Sequence, residues 1–168
     1  MTVYADLSPD EQQQLRVGLQ AAAVAISAAS PGRAEETVSE GVAAAEFILG
    51  SGPDYVANTL VTSVLMELQQ RLKSEQPFPD YVAVASAPSA YDHALEALRT
   101  VASLLDRRAT PEEASGFKGW LLRLATVVAR AGKEDQGFLG RGGVEVNAKE
   151  RAALAEIASV LGIEAPTT

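Results

Sequence analysis

The sequence predicts an all-α protein, and its composition is the first observation behind that prediction. Hydrophobic residues make up 47% of the 168 positions but aromatic residues only 5%, because alanine supplies much of the apolar content. This mixture suits closely packed helices better than β-sandwich strands. The length is that of one ordinary domain, which can bury a core without disulfides or metals. We therefore expect a single helical domain over residues 1–168.

Capping boxes are the second observation. In this motif a side-chain oxygen at the residue before the helix accepts from a backbone N–H of the first turn, and an acidic residue three positions later reaches back. The sequence contains three boxes, Ser8-Pro9-Asp10-Glu11, Thr110-Pro111-Glu112-Glu113 and Asn147-Ala148-Lys149-Glu150. The first two also carry proline at the first helical position, where it is well tolerated. Each box predicts the start of a helix.

Apolar spacing is the third observation. Six segments repeat apolar residues every three or four positions, which is the period of an amphipathic helix. In chain order these stripes are Leu15, Leu19, Ala22 and Ile26; Val38, Val42, Ala45 and Leu49; Val61, Val64, Leu65, Leu68 and Leu72; Leu95, Leu98, Ala102 and Leu105; Phe117, Trp120, Leu121, Leu124, Val128 and Ala131; and Leu154, Ile157 and Leu161. They predict six helices around a common core. We expect Trp120 to anchor that core rather than to form a ligand-stacking platform.

The start of the second predicted helix is acidic. Glu35, Glu36 and Glu40 lie near its beginning, with Arg33 just before it. Carboxylates stabilise the positive end of a helix. We expect these side chains on a solvated face.

Alanine is concentrated in two of the predicted helices, at Ala21-Ala22-Ala23 and at Ala43-Ala44-Ala45. Because alanine presents only a methyl group, helix backbones can approach closely there. Such a seam can lie inside a domain or between subunits. Packing within the domain is the favoured interpretation, and a homo-oligomer is the alternative.

A proline-bounded segment divides the chain near its middle. Residues 77–88 begin and end with proline and contain the β-friendly run Tyr81-Val82-Ala83-Val84. Proline disfavours the helical conformation in the residue before it, so we expect an extended connection packed along the surface. It separates halves 1–76 and 89–168. Ser30-Pro31 and Thr110-Pro111 each lie between two predicted helices, which suggests that the halves are pseudo-repeats of three helices.

Charge and composition exclude several classes of function. The net charge of −8 opposes binding to the phosphates of nucleic acids, so we do not expect a nucleic-acid partner. The chain has no cysteine, which removes disulfides, thiolate nucleophiles and sulfur-ligated metals. No apolar run approaches the roughly 20 residues that span a bilayer, and the N-terminus does not resemble a signal peptide. We expect a cytoplasmic protein that does not bind membranes.

The segment 133–150 is the best candidate for a functional site. It places four glycines, an aromatic residue and charges of both signs between two predicted helices. Glycine frees the backbone, and Arg141 among the glycines could bind a carboxylate or phosphate near a helix N-terminus. The motif is neither a P-loop nor a dinucleotide fingerprint. We expect Phe138, Arg141 and Lys133 to contact a protein partner, with a purely structural turn as the alternative.

Acidic residues in the same segment permit a second hypothesis. Asp135, Glu145 and Glu150, together with Glu134, could supply oxygen ligands to a hard cation such as calcium or magnesium. Their spacing does not match an EF-hand, and a capping role explains Glu150. Metal binding is therefore kept as the alternative, and no resident cofactor is expected.

The single histidine, His93, has Asp92 beside it and Glu96 three positions later. Two side chains on one helical face do not make a metal site, and a di-iron bundle would need several Glu-x-x-His motifs. A Ser-His-Asp triad would have to use the same histidine, but the chain has no Gly-x-Ser-x-Gly elbow. We expect a surface histidine, no catalytic residue and no enzymatic activity.

The C-terminal part of the chain resembles a known family. The helix ending near Ala131, the acidic and glycine-containing turn and the capped helix from Asn147 are similar to the pattern of the tellurite-resistance TerB-like helical proteins. The resemblance covers roughly the last 45 residues, and its matching positions are Asp135, Val146, Asn147 and Glu150. The turn is longer here than in that family. From Leu95 onward the chain also looks like an uncharacterised bacterial helical domain.

The TerB-like resemblance implies an all-helical, stress-associated interaction or sensing module. Together with the residues of segment 133–150, it leads us to expect a non-enzymatic bacterial protein that recognises a protein partner through the glycine-rich segment. The alternative is a sensor that binds a cation or a small anion with the same segment.

Overall fold

The computed structural model of the protein describes residues 4–74, 80–131 and 146–165. These residues form seven α-helices and two short 3-10 helices and contain no strand, which confirms the all-α prediction. The α-helices are α1 (Pro9–Ala29), α2 (Ala34–Gly50), α3 (Thr59–Lys73), α4 (Tyr81–Ala85), α5 (Ala90–Arg108), α6 (Pro111–Ala131) and α7 (Ala148–Leu161); the 3-10 helices are Tyr4–Asp6 and Gly52–Tyr55. Six of the seven correspond to the predicted helices, and α4 is additional.

All three capping boxes form as predicted. The Ser8 hydroxyl accepts from the N–H of Glu11 at 3.2 Å, and the Glu11 carboxylate accepts from the N–H of Ser8 at 2.9 Å. Thr110 and Glu113 repeat the exchange at the start of α6, and Asn147 and Glu150 repeat it at the start of α7. Local chemistry therefore fixes where these three helices begin.

The core is built around α1, α5 and α6. Helix α1 packs against both of the others and against α7. At Gly18 the two backbones of α1 and α5 come so close that an added Cβ would lie 2.6 Å from a methyl carbon of Val101. The alanine run of α1 is buried, with Ala22 and Ala25 fully inaccessible. This run therefore packs within the domain, as the favoured interpretation expected.

Trp120 anchors the core, as predicted. Its side chain is fully buried, and its ring meets that of Phe117 edge to face at 5.4 Å between centroids. The indole N–H donates to the Ser51 hydroxyl at 3.0 Å, which satisfies the polar atom of an otherwise apolar side chain. Because Ser51 follows α2, this hydrogen bond ties the end of α2 to α6.

Helix α3 is fixed to α6 through its N-cap. The Asn58 side chain accepts from the N–H of Val61 at 3.1 Å and donates to the carbonyl of Glu113 at 3.0 Å. At its other end α3 stops at Lys73, before Pro77, as expected. One asparagine thus starts a helix and positions it against the core.

The prediction of an extended connection over 77–88 is wrong for Tyr81–Ala85, which form α4. The Asp80 carboxylate accepts from the N–H groups of Val82 and Ala83, so a helix cap outweighs the β preference of valine. The ring of Tyr81 lies over Gly41 of α2, where an added Cβ would be 2.9 Å from a ring carbon. The pseudo-repeat of halves 1–76 and 89–168 stays a prediction.

Helix α2 is oriented differently from the prediction. Its expected core stripe faces outward, since Val38, Val42 and Leu49 are 51%, 52% and 44% exposed. The buried face instead contains Thr37, Glu40 and Ala44, and the helix packs chiefly against α6 and α4. Periodicity identified the helix correctly but chose the wrong face.

None of the described helices combines the length and the apolar character needed to cross a bilayer.

Candidate functional site

Most residues of the predicted site lie outside the described residues. This applies to Lys133, Asp135, Phe138, Arg141 and Glu145. The hypotheses of a protein-binding glycine-rich segment and of a cation site there therefore stay predictions.

Glu150 is the one member of that set which the structure describes. It is buried, and its carboxylate accepts from the N–H of Asn147 at 2.8 Å, which confirms the capping role. The Asn147 amide also donates to the Ser30 hydroxyl at 2.9 Å, so the start of α7 is tied to the end of α1. Across residues 4–74, 80–131 and 146–165, no three acidic or histidine side chains are placed to hold a metal ion.

His93 is exposed on α5, as expected. Its predicted neighbour Glu96 pairs with Arg99 at 2.5 Å. The imidazole borders an apolar cavity of about 420 Å³ between α1, α4 and α5, whose other lining residues are mainly alanine and valine. The structure thus places His93 at the border of a cavity whose walls are mostly methyl groups.

An apolar groove of about 360 Å³ runs between α1, α2 and α3, with Tyr81 of α4 at its border. We call it the α1–α2–α3 groove. Its inner part is formed by the buried residues Leu19, Ala23 and Ala44. The outer part consists of partly exposed aliphatic side chains, Val17, Ile48, Leu49, Leu68 and Leu72. The groove therefore offers a concave aliphatic surface to the solvent.

The outward stripe of α2 continues this surface. Leu49 and Ala45 belong both to the groove and to the stripe, and Val38 and Val42 extend it towards the start of α2. Over positions 38–49 the stripe is about 16 Å long at the helical rise of about 1.5 Å per residue. Large contiguous exposed apolar patches are uncommon on monomers, and those that occur often mark interaction sites.

Two arginines are the charged residues in the lining of the groove, and none of the described acidic residues lines it. Arg16 of α1 donates to the Tyr4 hydroxyl and, at 2.6 Å, to the Gln13 side-chain oxygen. Burial raises the pKa of the Tyr4 hydroxyl, and the positive charges of Arg16 and, most weakly, Arg71 oppose that rise. Both guanidinium groups belong to the lining of the groove.

A buried polar cluster lies behind the groove and consists of Ser27, Glu40 and Tyr81. The Ser27 hydroxyl donates to the Glu40 carboxylate and lies 2.8 Å from the Tyr81 hydroxyl. Ser27 and Glu40 are buried, so the expectation that Glu40 lies on a solvated face is wrong. Glu40 lies on the opposite side of α2 from the outward apolar stripe, so it faces the interior.

Burial raises the pKa of Glu40 above its ordinary value of 4.5, and the hydrogen bond from Ser27 opposes that rise. The negative charges of Glu150 and Glu36 raise the pKa further. Burial likewise raises the pKa of the Tyr81 hydroxyl, which therefore stays protonated at neutral pH. The cluster holds the ring of Tyr81 at the border of the groove, so it supports the shape of that surface.

The chain matches no known protein family, no curated protein and no solved structure. The resemblance to the TerB-like family therefore stays a prediction.

Sequence reasoning missed both the groove and the polar cluster. The groove combines residues from four helices that are distant in the chain, which no local pattern reveals. A signal for the orientation of α2 was nevertheless present. Ala44, Phe47 and Ile48 form a second apolar set on this helix, at the spacing of an alternative core face.

Proposed function

We propose that the protein is a non-enzymatic interaction module that binds a helical segment of a protein partner in the α1–α2–α3 groove. The observation that carries this proposal is the outward apolar stripe of α2, which borders the groove and whose Val38, Val42 and Leu49 are exposed in the part of the chain that the structure describes. An amphipathic helix that binds such a groove presents side chains at positions i, i+3, i+4 and i+7. The stripe is long enough for about three turns of such a helix.

The shape of the molecule supports a helical partner over an extended one. An extended peptide usually binds by adding a strand to an exposed sheet edge. Residues 4–74, 80–131 and 146–165 offer no sheet. Aliphatic walls of neighbouring helices are instead typical of grooves that bind helices.

Helix binding would be tested with a labelled peptide of about 14 residues, roughly four turns, that carries leucine at helical spacing and a neutral glutamine-rich polar face. We expect saturable binding by fluorescence anisotropy. Leu49→Glu should weaken it at least tenfold, because a carboxylate would replace an aliphatic side chain in the groove and each 1.4 kcal/mol of binding is about tenfold.

Met66→Glu is the matched control. Met66 is also an exposed apolar residue, on α3, but it does not line the groove. Circular dichroism of both variants checks that the fold is retained. Equal binding of the peptide by wild type and by Leu49→Glu would refute the proposal.

The glycine-rich segment 133–150 is a second predicted contact surface in this proposal. Phe138, Arg141 and Lys133 remain predicted contacts with a protein partner, and the stress-associated role remains what the TerB-like resemblance implies. Alanine at Phe138 and Arg141 would test whether the same partner also uses that segment.

A further inference from the structure

We infer that the partner helix of the α1–α2–α3 groove is acidic, with carboxylates beside its apolar stripe that pair with Arg16 and Arg71. This inference rests on the proposed function, since it names the chemistry of the occupant of the same groove. Three observations support it: the charges that line the groove, the free hydrogen-bonding capacity of the two arginines, and their place on two of the three helices that form the groove.

The charge of the groove is opposite to that of the molecule. The chain carries 22 acidic and 14 basic residues, for a net charge of −8. Nevertheless, the charged side chains among the described lining residues of the groove are both arginines. A local excess of two positive charges in an acidic protein is a complementary surface for carboxylates.

The two guanidinium groups have donors to offer. Arginine has five N–H donors and binds carboxylates in a bidentate fork. Arg16 contacts the Tyr4 hydroxyl and the Gln13 amide oxygen, neither of which is charged. The ion pairs among the described residues join Arg99 with Glu96, Arg108 with Glu11 and Lys118 with Asp106, and so involve neither groove arginine.

Arg16 and Arg71 both belong to the lining of the groove. Glu67 lies one turn before Arg71 on α3 and is not part of that lining. Arg16 belongs to α1 and Arg71 to α3, whereas the outward stripe belongs to α2. A bound helix would therefore place its leucines against α2 and its carboxylates towards α1 and α3.

The net charge makes the test discriminating. If the field of the whole molecule decided the partner, a basic helix would bind best to a protein of charge −8. If the two arginines decide, an acidic helix binds best. The two hypotheses predict opposite orders of affinity for the same peptides.

The experiment uses three labelled peptides of equal length with the same leucine stripe and a polar face of glutamate, glutamine or lysine. For wild type we expect the order glutamate, glutamine, lysine from tightest to weakest. The glutamate peptide should bind about tenfold more tightly than the glutamine peptide, which is the size of one charge-assisted hydrogen bond. Arg71→Glu should reverse the order and change the affinity for the glutamine peptide by less than about threefold.

Arg107→Glu is the control, because it makes the same change in net charge at an exposed position on α5 outside the groove. It should keep the wild-type order. Arg71→Gln removes the charge without placing a second carboxylate near Glu67, and it should reduce the preference for the glutamate peptide, because Arg16 remains. A melting curve for each variant shows whether it is folded.

The outcomes separate the two proposals. If wild type binds the glutamine peptide and Leu49→Glu does not, the result supports the groove as the binding site. This conclusion does not depend on the charge of the partner. With that result in hand, equal affinity for all three peptides or a preference for lysine would overturn the acidic partner alone.

Failure of all three peptides overturns both proposals. A dimer in native mass spectrometry that Leu49→Glu converts to a monomer would do so as well, since a second copy would then cover the groove. Stabilisation by a medium-chain fatty acid without peptide binding would show that the groove holds a lipid carboxylate, and would also overturn both.

Discussion

Helices α2 and α5 have similar lengths and opposite relations to the core. In α5 the buried face is aliphatic, with Leu95, Leu98 and Leu105, whereas the exposed positions include Arg99 and Asp106. In α2 a carboxylate and a threonine are buried while valine and leucine face the solvent. Burial of apolar area stabilises a fold by about 25 cal/mol per Å², so the outward stripe of α2 adds little to the stability of the monomer. The difference indicates that the buried face of α5 stabilises the fold, whereas the exposed stripe of α2 contributes little to stability and is the surface that we propose for binding.

The largest expected effect is in α5. Leu98 is fully buried, so Leu98→Ala should lower the free energy of unfolding by about 2–5 kcal/mol, through lost burial and the cavity left behind. Urea unfolding followed by circular dichroism measures this. A loss below about 1 kcal/mol would contradict the assignment of α5 to the core.

Two glycines test how closely α1 and α5 approach. Gly18→Ala should lower the free energy of unfolding by about 1–3 kcal/mol, because the new methyl group would overlap Val101. Gly119 of α6 is the control, since an added Cβ there meets no atom within 4 Å. Gly119→Ala should stabilise the protein by about 0.5–1 kcal/mol through higher helix propensity. The same sign for both changes in thermal unfolding would refute the close approach at Gly18.

The buried acid of α2 predicts a pH dependence. The pKa of Glu40 is raised in the folded state by burial and by the charges of Glu150 and Glu36. Its ionisation therefore destabilises the fold above the folded-state pKa, and this cost disappears as the pH falls below the ordinary value of 4.5. Glu40→Gln cannot ionise, so its stability relative to wild type should be greatest at pH 7 and should decrease towards pH 4.5.

The control for Glu40 is Glu46→Gln, which changes an exposed carboxylate of the same helix. Subtracting its pH profile removes effects of net charge. The profile for Tyr81→Phe would then show whether the hydroxyl of the polar cluster contributes, since Tyr81 contacts Ser27 rather than Glu40. A flat difference between Glu40→Gln and wild type from pH 7 to 4.5 would contradict a raised pKa of Glu40 in the folded state.

Features that depend on local sequence were predictable, whereas features that depend on long-range packing were not. Helix starts at Ser8, Thr110 and Asn147 were predictable because each capping box is complete within four residues. The short helix α4 was not, because its β-friendly residues hid the cap that Asp80 supplies and the packing of Tyr81 over Gly41. The two packed residues are 40 positions apart, so no local sequence pattern indicates that they are in contact.

The groove illustrates the same limit. On α2 two apolar sets overlap, one through Val38 and Val42 and the other through Ala44 and Ile48, and helical periodicity fits both. Which set turns inward depends on how α6 and α4 pack against the helix, not on the helix itself. The charge pattern gave a misleading signal, because carboxylates near a helix start are usually solvated while Glu40 is buried.

The smallest expected effect is on the outward stripe of α2, and it tests the comparison most directly. Val42 is half exposed and lies outside the core, so Val42→Ser should change the free energy of unfolding by less than about 0.5 kcal/mol. The same substitution at the buried Val101 of α5 should cost about 2 kcal/mol or more, because it removes buried methyl groups and buries a hydroxyl. Paired urea titrations measure the two changes under identical conditions. Equal losses would mean that both valines are core residues. The stripe of Val38, Val42, Ala45 and Leu49 would then face inward, as helical periodicity alone had predicted. In that case the groove would have no exposed wall on α2, and the proposed binding surface would not exist.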